Sequence, residues 1–472
     1  MTDERTERLL AARLAEHQAG HRLPSVAAGL VRGGELFWSA GRGQWRGNGE
    51  AAGGMSGPAP DADVQYRAGS ITKTFVAVAV LRLRDEGRLD LSDPVGRHVT
   101  DAGSASALTV GQLLSHTSGL RSETAGPWWE RTAGAPIDVL AAQSLGADAL
   151  RLRPGWQFHY SNVGYALLGE LVTSLHGRPW YDVIADELLA PLRMTRTTVR
   201  PQPPHATGFA VHPHADLLLP EPEHDAEAIA PAGQLWTTVT DLARWAAFLA
   251  GAGPQRGALL DPGTLAEMRR PAAICDVPDQ PWDLGYGLGL QLWNSGGRRS
   301  YGHTGSMPGF TGALQIDAAS GDAAIVLSNS TTPSSGAAFT ADLLRILAEN
   351  DPPARPEWTA TAVARDALEL VGTWYWGPMA FLVSVAAGPD GPGSVLEFRA
   401  AGSGSVAHRF RRAGDGVWTG VDGYFDAEPL RPVRGADGRV VALDLASHTY
   451  TRLPYDDGAP VPGGVDPGGW RG

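Results

Sequence analysis

Three short segments carry side chains whose types and spacing could do chemistry together. The first is Arg67-Ala68-Gly69-Ser70-Ile71-Thr72-Lys73-Thr74-Phe75. Its lysine stands alone, because of 39 basic residues 38 are arginine and only Lys73 is lysine. Arginine serves wherever a permanent cation suffices, but it does not give up its proton, whereas burial lowers a lysine into the range of a general base. Ser70 precedes Lys73 by three residues, so on a helix of 3.6 residues per turn hydroxyl and amine share a face one turn apart. That is the geometry of a nucleophile and its base. The N-terminus of such a helix also favours negative charge developing beside Ser70, through its free N–H groups and positive dipole end.

The second segment, Phe158-His159-Tyr160-Ser161-Asn162-Val163-Gly164-Tyr165, follows the turn-forming Pro154-Gly155 and enters a helical run from Ala166 to Leu175. A tyrosine hydroxyl beside a cation is expected to ionise more readily and relay protons, and the Asn162 amide offers a donor and an acceptor to a substrate amide. The same residues also describe a capping Ser-Asn with a packed tyrosine. The third segment, Tyr301-Gly302-His303-Thr304-Gly305-Ser306-Met307-Pro308-Gly309-Phe310, leads into alternating Leu314 and Ile316 and a Ser320-Gly321 turn, a pattern of antiparallel strands. Small residues there let a substrate backbone lie against the strand, and a strand N–H can complete an oxyanion hole with the Ser70 N–H. Alone, it is equally a glycine-rich hairpin with an incidental histidine.

Other elements must position these three. The run Val76 to Leu83, apolar on most faces and closed by Glu86-Gly87, predicts a central buried helix behind Ser70. Glu4 to Gln18 reads as an amphipathic helix with Leu9, Leu10 and Leu14 on its apolar side, and Val26 to Leu30 and Leu36 to Trp38 as strands around Gly33-Gly34. Helices dominate from Ser70 to Leu249, strands return near Tyr286 to Leu292 and Gly312 to Leu327, and Phe339 to Leu347 predicts a last helix on the sheet. The ends of this segment would form one α/β subdomain beside a mostly helical one, with the serine between them. With 472 residues, the chain exceeds the usual single core. The division expected is a catalytic domain over 1–350, a proline-rich linker over 351–360, a small β-barrel over 361–460 and a loose tail over 461–472.

Ser70-x-x-Lys73, Tyr160-x-Asn162 and His303-Thr304-Gly305, in that order, resemble the serine β-lactamase and penicillin-binding-protein superfamily, in its class C-like branch. Leu113-Leu114-Ser115-His116-Thr117-Ser118-Gly119-Leu120 and Pro231-Ala232-Gly233-Gln234-Leu235-Trp236-Thr237-Thr238 are similar to further segments of that family. The resemblance spans roughly Leu23 to Ala348. It implies an α/β fold with an antiparallel sheet flanked by helices and a mostly helical subdomain, followed by a barrel like the lipocalin-like domains of some of these hydrolases. It also implies Ser70 as nucleophile, Lys73 and Tyr160 sharing general-base duty, and Asn162 holding the substrate amide. His303, Thr304 and Gly305 would line the strand side with the Ser306 N–H as second oxyanion donor, and His116 would be a packing residue. His303 stands where the family more often has lysine, so the strand would carry a weaker, titratable cation and β-lactam hydrolysis would be inefficient. Small amides and esters, handled through an acyl-enzyme by peptidase or esterase chemistry, are the expected substrates. β-Lactam hydrolysis, acyl transfer and a penicillin-binding sensor without turnover are the alternatives on the same scaffold.

Composition narrows the field. A formal net charge of -12 speaks against nucleic acid, whose binding draws on clustered Lys and Arg. Met1 to Leu23 lacks the apolar stretch of a signal peptide and no run reaches membrane-spanning length, which with the lone Cys275 leads to the expectation of a cytoplasmic protein acting on a small molecule or short peptide. No cofactor or metal is expected. His205, His212, His214 and His224 lie in a proline-rich stretch without metal-site spacing, and no Gly-x-Ser-x-Gly nucleophile elbow occurs.

Overall fold

The structure is a computed structural model that describes residues 4–47, 55–253, 255, 257–332, 335–354, 357–360, 362–388, 391–402, 404, 407–414 and 416–454. The chain divides into two compact units, Met1–Pro353 and Ala354–Gly472. The expected tail over 461–472 lies outside the described residues, as do positions 355 and 356 of the expected linker.

The first unit is organised around an antiparallel sheet. Its strands, in chain order, are β1 Ser25–Arg32, β2 Glu35–Gly43, β3 Ala273–Ile274, β4 Leu284–Tyr286, β5 Gln291–Ser295, β6 Arg298–Met307, β7 Phe310–Asp317 and β8 Ala323–Ser328. These eight strands lie in the order β2-β1-β8-β7-β6-β5-β4-β3. Strands from the two ends of the unit's sequence are thus neighbours, with Ala28 opposite Val326. β1 and β8 read as continuous apolar runs rather than alternating ones because both faces of the sheet are covered. On one face Val26, Ala28, Leu30 and Val326 pack with Leu10, Phe339 and Leu343 from helices α1 (Glu4–Gly20) and α5 (Gly336–Asn350). On the other, Ala27, Val31, Ile325 and Leu327 join the large core built on α2 (Thr72–Asp85), α3 (Asn162–His176) and α4 (Val239–Leu249).

In α1 the buried positions are Thr6, Leu10, Leu14 and His17, one stripe along the helix. Leu9, expected on the apolar side, is 38% exposed, because it lies about 100° around the helix from Leu10. Helix α2 is buried along nearly its whole length, from Thr72 through Leu81 and at Leu83. Such a helix has no solvent face, and this accounts for its lack of amphipathic period. Its C-terminus leads into Gly87 at φ +71°, the left-handed stop that glycine permits.

The second unit is a closed barrel of strands β9 Gly372–Trp376, β10 Met379–Gly388, β11 Gly391–Ala400, β12 His408–Gly414, β13 Val417–Gly420, β14 Pro429–Arg434, β15 Val440–Leu445 and β16 His448–Thr451. Its interior is packed with Trp374, Phe398, Phe410, Trp418 and Leu443. Large side chains at alternate positions fill a barrel of this size.

Candidate active site

Ser70 sits on a 3-10 turn, Gly69–Ile71, immediately before α2, rather than in the first turn of an α-helix. Gly69 makes that turn possible in two ways. Its φ is +55°, and a Cβ there would lie 2.3 Å from the Ser306 nitrogen, so only glycine lets the serine turn close on β6.

Lys73, in the first turn of α2, is fully buried. Its Nζ lies 2.9 Å from Ser70 Oγ, 2.7 Å from Asn162 Oδ1 and 2.6 Å from the Ala232 carbonyl oxygen. The last two partners only accept. A neutral amine has two N–H groups and one lone pair, so donation to Asn162 and Ala232 leaves the lone pair directed at the Ser70 hydroxyl. Burial favours that neutral state and lowers the amine to about 7, while the charges of Glu123 and Glu130 act in the opposite direction.

Tyr160 is half-buried on the cleft wall, and its hydroxyl hydrogen-bonds with Ser70. The expectation that a nearby cation would ease its ionisation is not met. Desolvation raises the phenol well above its ordinary value, outweighing the Ser70 bond, and Lys73 Nζ lies over the ring at 4.9 Å from its centroid. Tyr160 is therefore a neutral phenol. Asn162 is the first residue of α3, whose N-cap Ser161 accepts from the Gly164 N–H. The cap fixes where Asn162 points. Its Oδ1 accepts from Lys73, and its Nδ2 donates to Glu123 Oε1 at 2.8 Å. Both ends of the amide that was expected to hold substrate are engaged within the protein, so Asn162 sets the lysine. His116 is wholly buried, its Nδ1 accepting the Ser161 N–H at 3.0 Å, in keeping with a packing role that also holds the turn carrying Tyr160.

β6 forms the opposite wall. His303 is 1% exposed, and its Nδ1 lies 2.5 Å from the Thr304 carbonyl oxygen, which only accepts. Nδ1 therefore carries the hydrogen, and Nε2 accepts from the Tyr286 hydroxyl at 3.0 Å. Burial drives His303 down to about 3, with the Lys73 charge adding to the effect. The weak cation expected on this strand is thus a neutral imidazole at physiological pH. A Cβ on Gly305 would meet the Ala68 carbonyl at 1.9 Å, which explains glycine at this point.

The Thr304 N–H is directed to the β5 side of the strand, where it donates to Gln291 Oε1. Backbone groups alternate along a strand, so Ser306 turns its N–H to the same side, and the β5–β6 ladder has already ended at Gln291 opposite Gly302. Ser70, Tyr160, Gln291, His303, Thr304, Gly305 and Ser306 line one cleft of about 480 Å³. Every residue expected in the site thus lies on this cleft or on the hydrogen-bond network behind it. Glu123, the Ala232 carbonyl, Tyr286 and Gln291 are the additions that the structure makes. No trio of His, Cys, Asp or Glu able to hold a metal occurs among the described residues. His224 instead bonds the Trp129 carbonyl oxygen at 2.9 Å.

The β-lactamase family model matches residues 10–349, and a domain of unknown function, DUF7586, matches 363–452. Penicillin-binding protein 4 of Amycolatopsis lactamdurans is 30% identical over 346 residues, covering 69% of this chain and 85% of its own. The D-stereospecific amidohydrolase of Streptomyces sp. has a similar structure, with a TM-score of 0.55 and 26% identity over 73% of this chain and 99% of its own. The penicillin-binding protein homologue of Pyrococcus abyssi, described as octameric, shares the fold at a TM-score of 0.63, with 22% identity over 94% of this chain and 99% of its own. Among the described residues, no helix is long and apolar enough to cross a membrane.

Proposed function

Because the chain belongs to the β-lactamase family of serine hydrolases, we propose that it cleaves small amides or esters through an acyl-enzyme on Ser70, with Lys73 as the base. The observation that carries this reading is the lysine amine, held by two acceptors so that its third tetrahedral position meets the Ser70 hydroxyl at 2.9 Å.

Lys73 takes the Ser70 proton as Oγ attacks the substrate carbonyl. Negative charge developing on the carbonyl oxygen is met by the N–H groups of Ser70 and Ser306. Tyr160, a phenol bonded to Ser70, passes a proton to the leaving nitrogen or oxygen and is resupplied by Lys73. Water then cleaves the acyl ester by the reverse relay. Asn162, tied to Glu123, keeps the amine from turning away.

The character of the cleft supports uncharged substrates. Its lining contains no Lys or Arg among the described residues, and His303 is neutral. A substrate carboxylate entering there would lose hydration without gaining a cation. The likeness to a D-stereospecific amidohydrolase supports an amide among the substrates.

A chromogenic panel tests this: short-chain p-nitrophenyl esters, D-alanine p-nitroanilide, a D-Ala-D-Ala peptide and a cephalosporin, each with wild type and Ser70→Ala. Ester or amide turnover that vanishes in Ser70→Ala, with weak cephalosporin turnover, is expected. A rapid cephalosporin reaction would contradict the substrate assignment. The likeness to a penicillin-binding protein favours a second reading, acylation without turnover. Stoichiometric labelling by a fluorescent penicillin, with no turnover of any panel member, would establish it.

A further inference from the structure

The catalytic strand has one open edge beside the serine, and a side chain stands where a neighbouring strand would continue. β5 begins at Gln291, opposite Gly302, so among the described residues the backbone groups of Thr304 and Ser306 on that side have no strand partner. Gln291 fills the first of these positions. Its Oε1 accepts the Thr304 N–H at 2.8 Å and the Thr304 Oγ1 hydroxyl at 3.1 Å. With the carbonyl oxygen occupied by two donors, the other end of the amide is fixed as the NH₂ group. No hydrogen bond of Nε2 occurs among the described residues, and Gln291 lines the cleft next to Ser306 and the nucleophile.

The consequence is a neutral donor at the point where the leaving portion of a substrate must lie. A substrate paired with the Ser306 edge runs along β6 toward Thr304, where the strand N–H is already taken. It meets the Gln291 NH₂ instead. His303, on the cleft-lining part of this strand, has both ring nitrogens engaged by the Thr304 carbonyl and Tyr286, and therefore offers no charge.

We infer that Gln291 is a specificity-determining residue that selects leaving groups carrying an uncharged carbonyl, a carboxamide or an ester, over those ending in a free carboxylate. The inference rests on the acyl-enzyme reading above. A neutral carbonyl exchanges one water hydrogen bond for one from Nε2, whereas a carboxylate gives up its hydration for a single neutral donor.

The test uses a matched pair, N-acetyl-D-Ala-D-alaninamide and N-acetyl-D-Ala-D-Ala, each measured as substrate and as competitor of p-nitrophenyl ester hydrolysis by the full chain. The readout is the ratio of their kcat/KM values, or of their inhibition constants, since a variant with a reduced folded fraction lowers both members of a kcat/KM ratio alike. Wild type should favour the amide-terminated compound by about 10-fold or more. Gln291→Met, similar in length but without the amide, should lower that preference by roughly 3- to 10-fold, the worth of one neutral hydrogen bond. Gln291→Lys, which adds a cation, should reverse it. Equal handling of the two compounds by wild type, or a ratio unchanged in both variants, overturns the role of Gln291. Ester turnover that persists in Ser70→Ala would instead overturn the acyl-enzyme reading, so the two failures are distinguishable.

Discussion

The two walls of the cleft differ in how completely their polar groups are used up within the protein. On the serine side, Lys73 has three partners, Asn162 has one at each end of its amide, and Glu123 is held by both Asn162 and Trp129. On the strand side, the ladder stops at Gly302, and beyond it the edge is met by the Gln291 side chain rather than by a strand. The contrast separates two tasks. In the proposed mechanism the atoms that move protons belong to a hydrogen-bonded network, buried at Lys73 and Asn162, where a shift of one partner disturbs the rest. The atoms proposed to meet substrate are neutral donors on an open edge, where a change is expected to alter what binds while leaving the proposed proton relay in place.

Experiments can break this division in order of expected effect. Ser70→Ala removes the nucleophile and should lower kcat/KM by roughly 10⁴-fold or more, read on the preferred ester. Lys73→Arg is the sharper substitution. It keeps a cation but removes a base that can lose its proton, and a loss of about 10³-fold is expected, whereas near-normal rates would mean that the amine acts only as a positive charge. Gly305→Ala tests the seam between the walls. The added Cβ, 1.9 Å from the Ala68 carbonyl oxygen, must push β6 away from the serine turn and separate the two oxyanion donors, for a loss of roughly 10²-fold in kcat with a smaller change in stability.

Glu123→Gln should have the smallest effect on maximal rate and a clear one on pH dependence. Lys73 acts when unprotonated, so acylation should rise with pH through about 7. The Glu123 charge stabilises the ammonium form and raises the amine, so its removal lowers the midpoint and moves the acid limb to lower pH. A limb that stays in place, or moves up, would show that Glu123 is not electrically coupled to the base.

Much of the serine wall was legible in the sequence because its logic is local. Ser70 and Lys73 are one turn apart, and a lone lysine among arginines marks a position where a permanent cation will not serve. The strand with His303-Thr304-Gly305 and the β-barrel were legible from glycine turns and alternating side chains. What escaped depends on distant chain segments and on burial. Glu123 lies on an irregular loop 39 residues from Asn162, and Ala232 contributes only a backbone oxygen that any residue type could supply. The sequence showed histidine at 303, but its neutral state comes from Tyr286 and from its burial. The direction of the Tyr160 shift depends on the same factor, since desolvation of the phenol outweighs its neighbours.

The most direct measurement is the pH dependence of Ser70 acylation, followed by intact mass under single-turnover conditions with an activated ester. A mass increase confined to the Ser70 peptide, rising through a midpoint near the value of about 7 set by burial of Lys73 and lost in Lys73→Arg, is what a neutral amine drawing off the serine proton predicts. Acylation at another residue, or at Ser70 with an unchanged rate in Lys73→Arg, would contradict it.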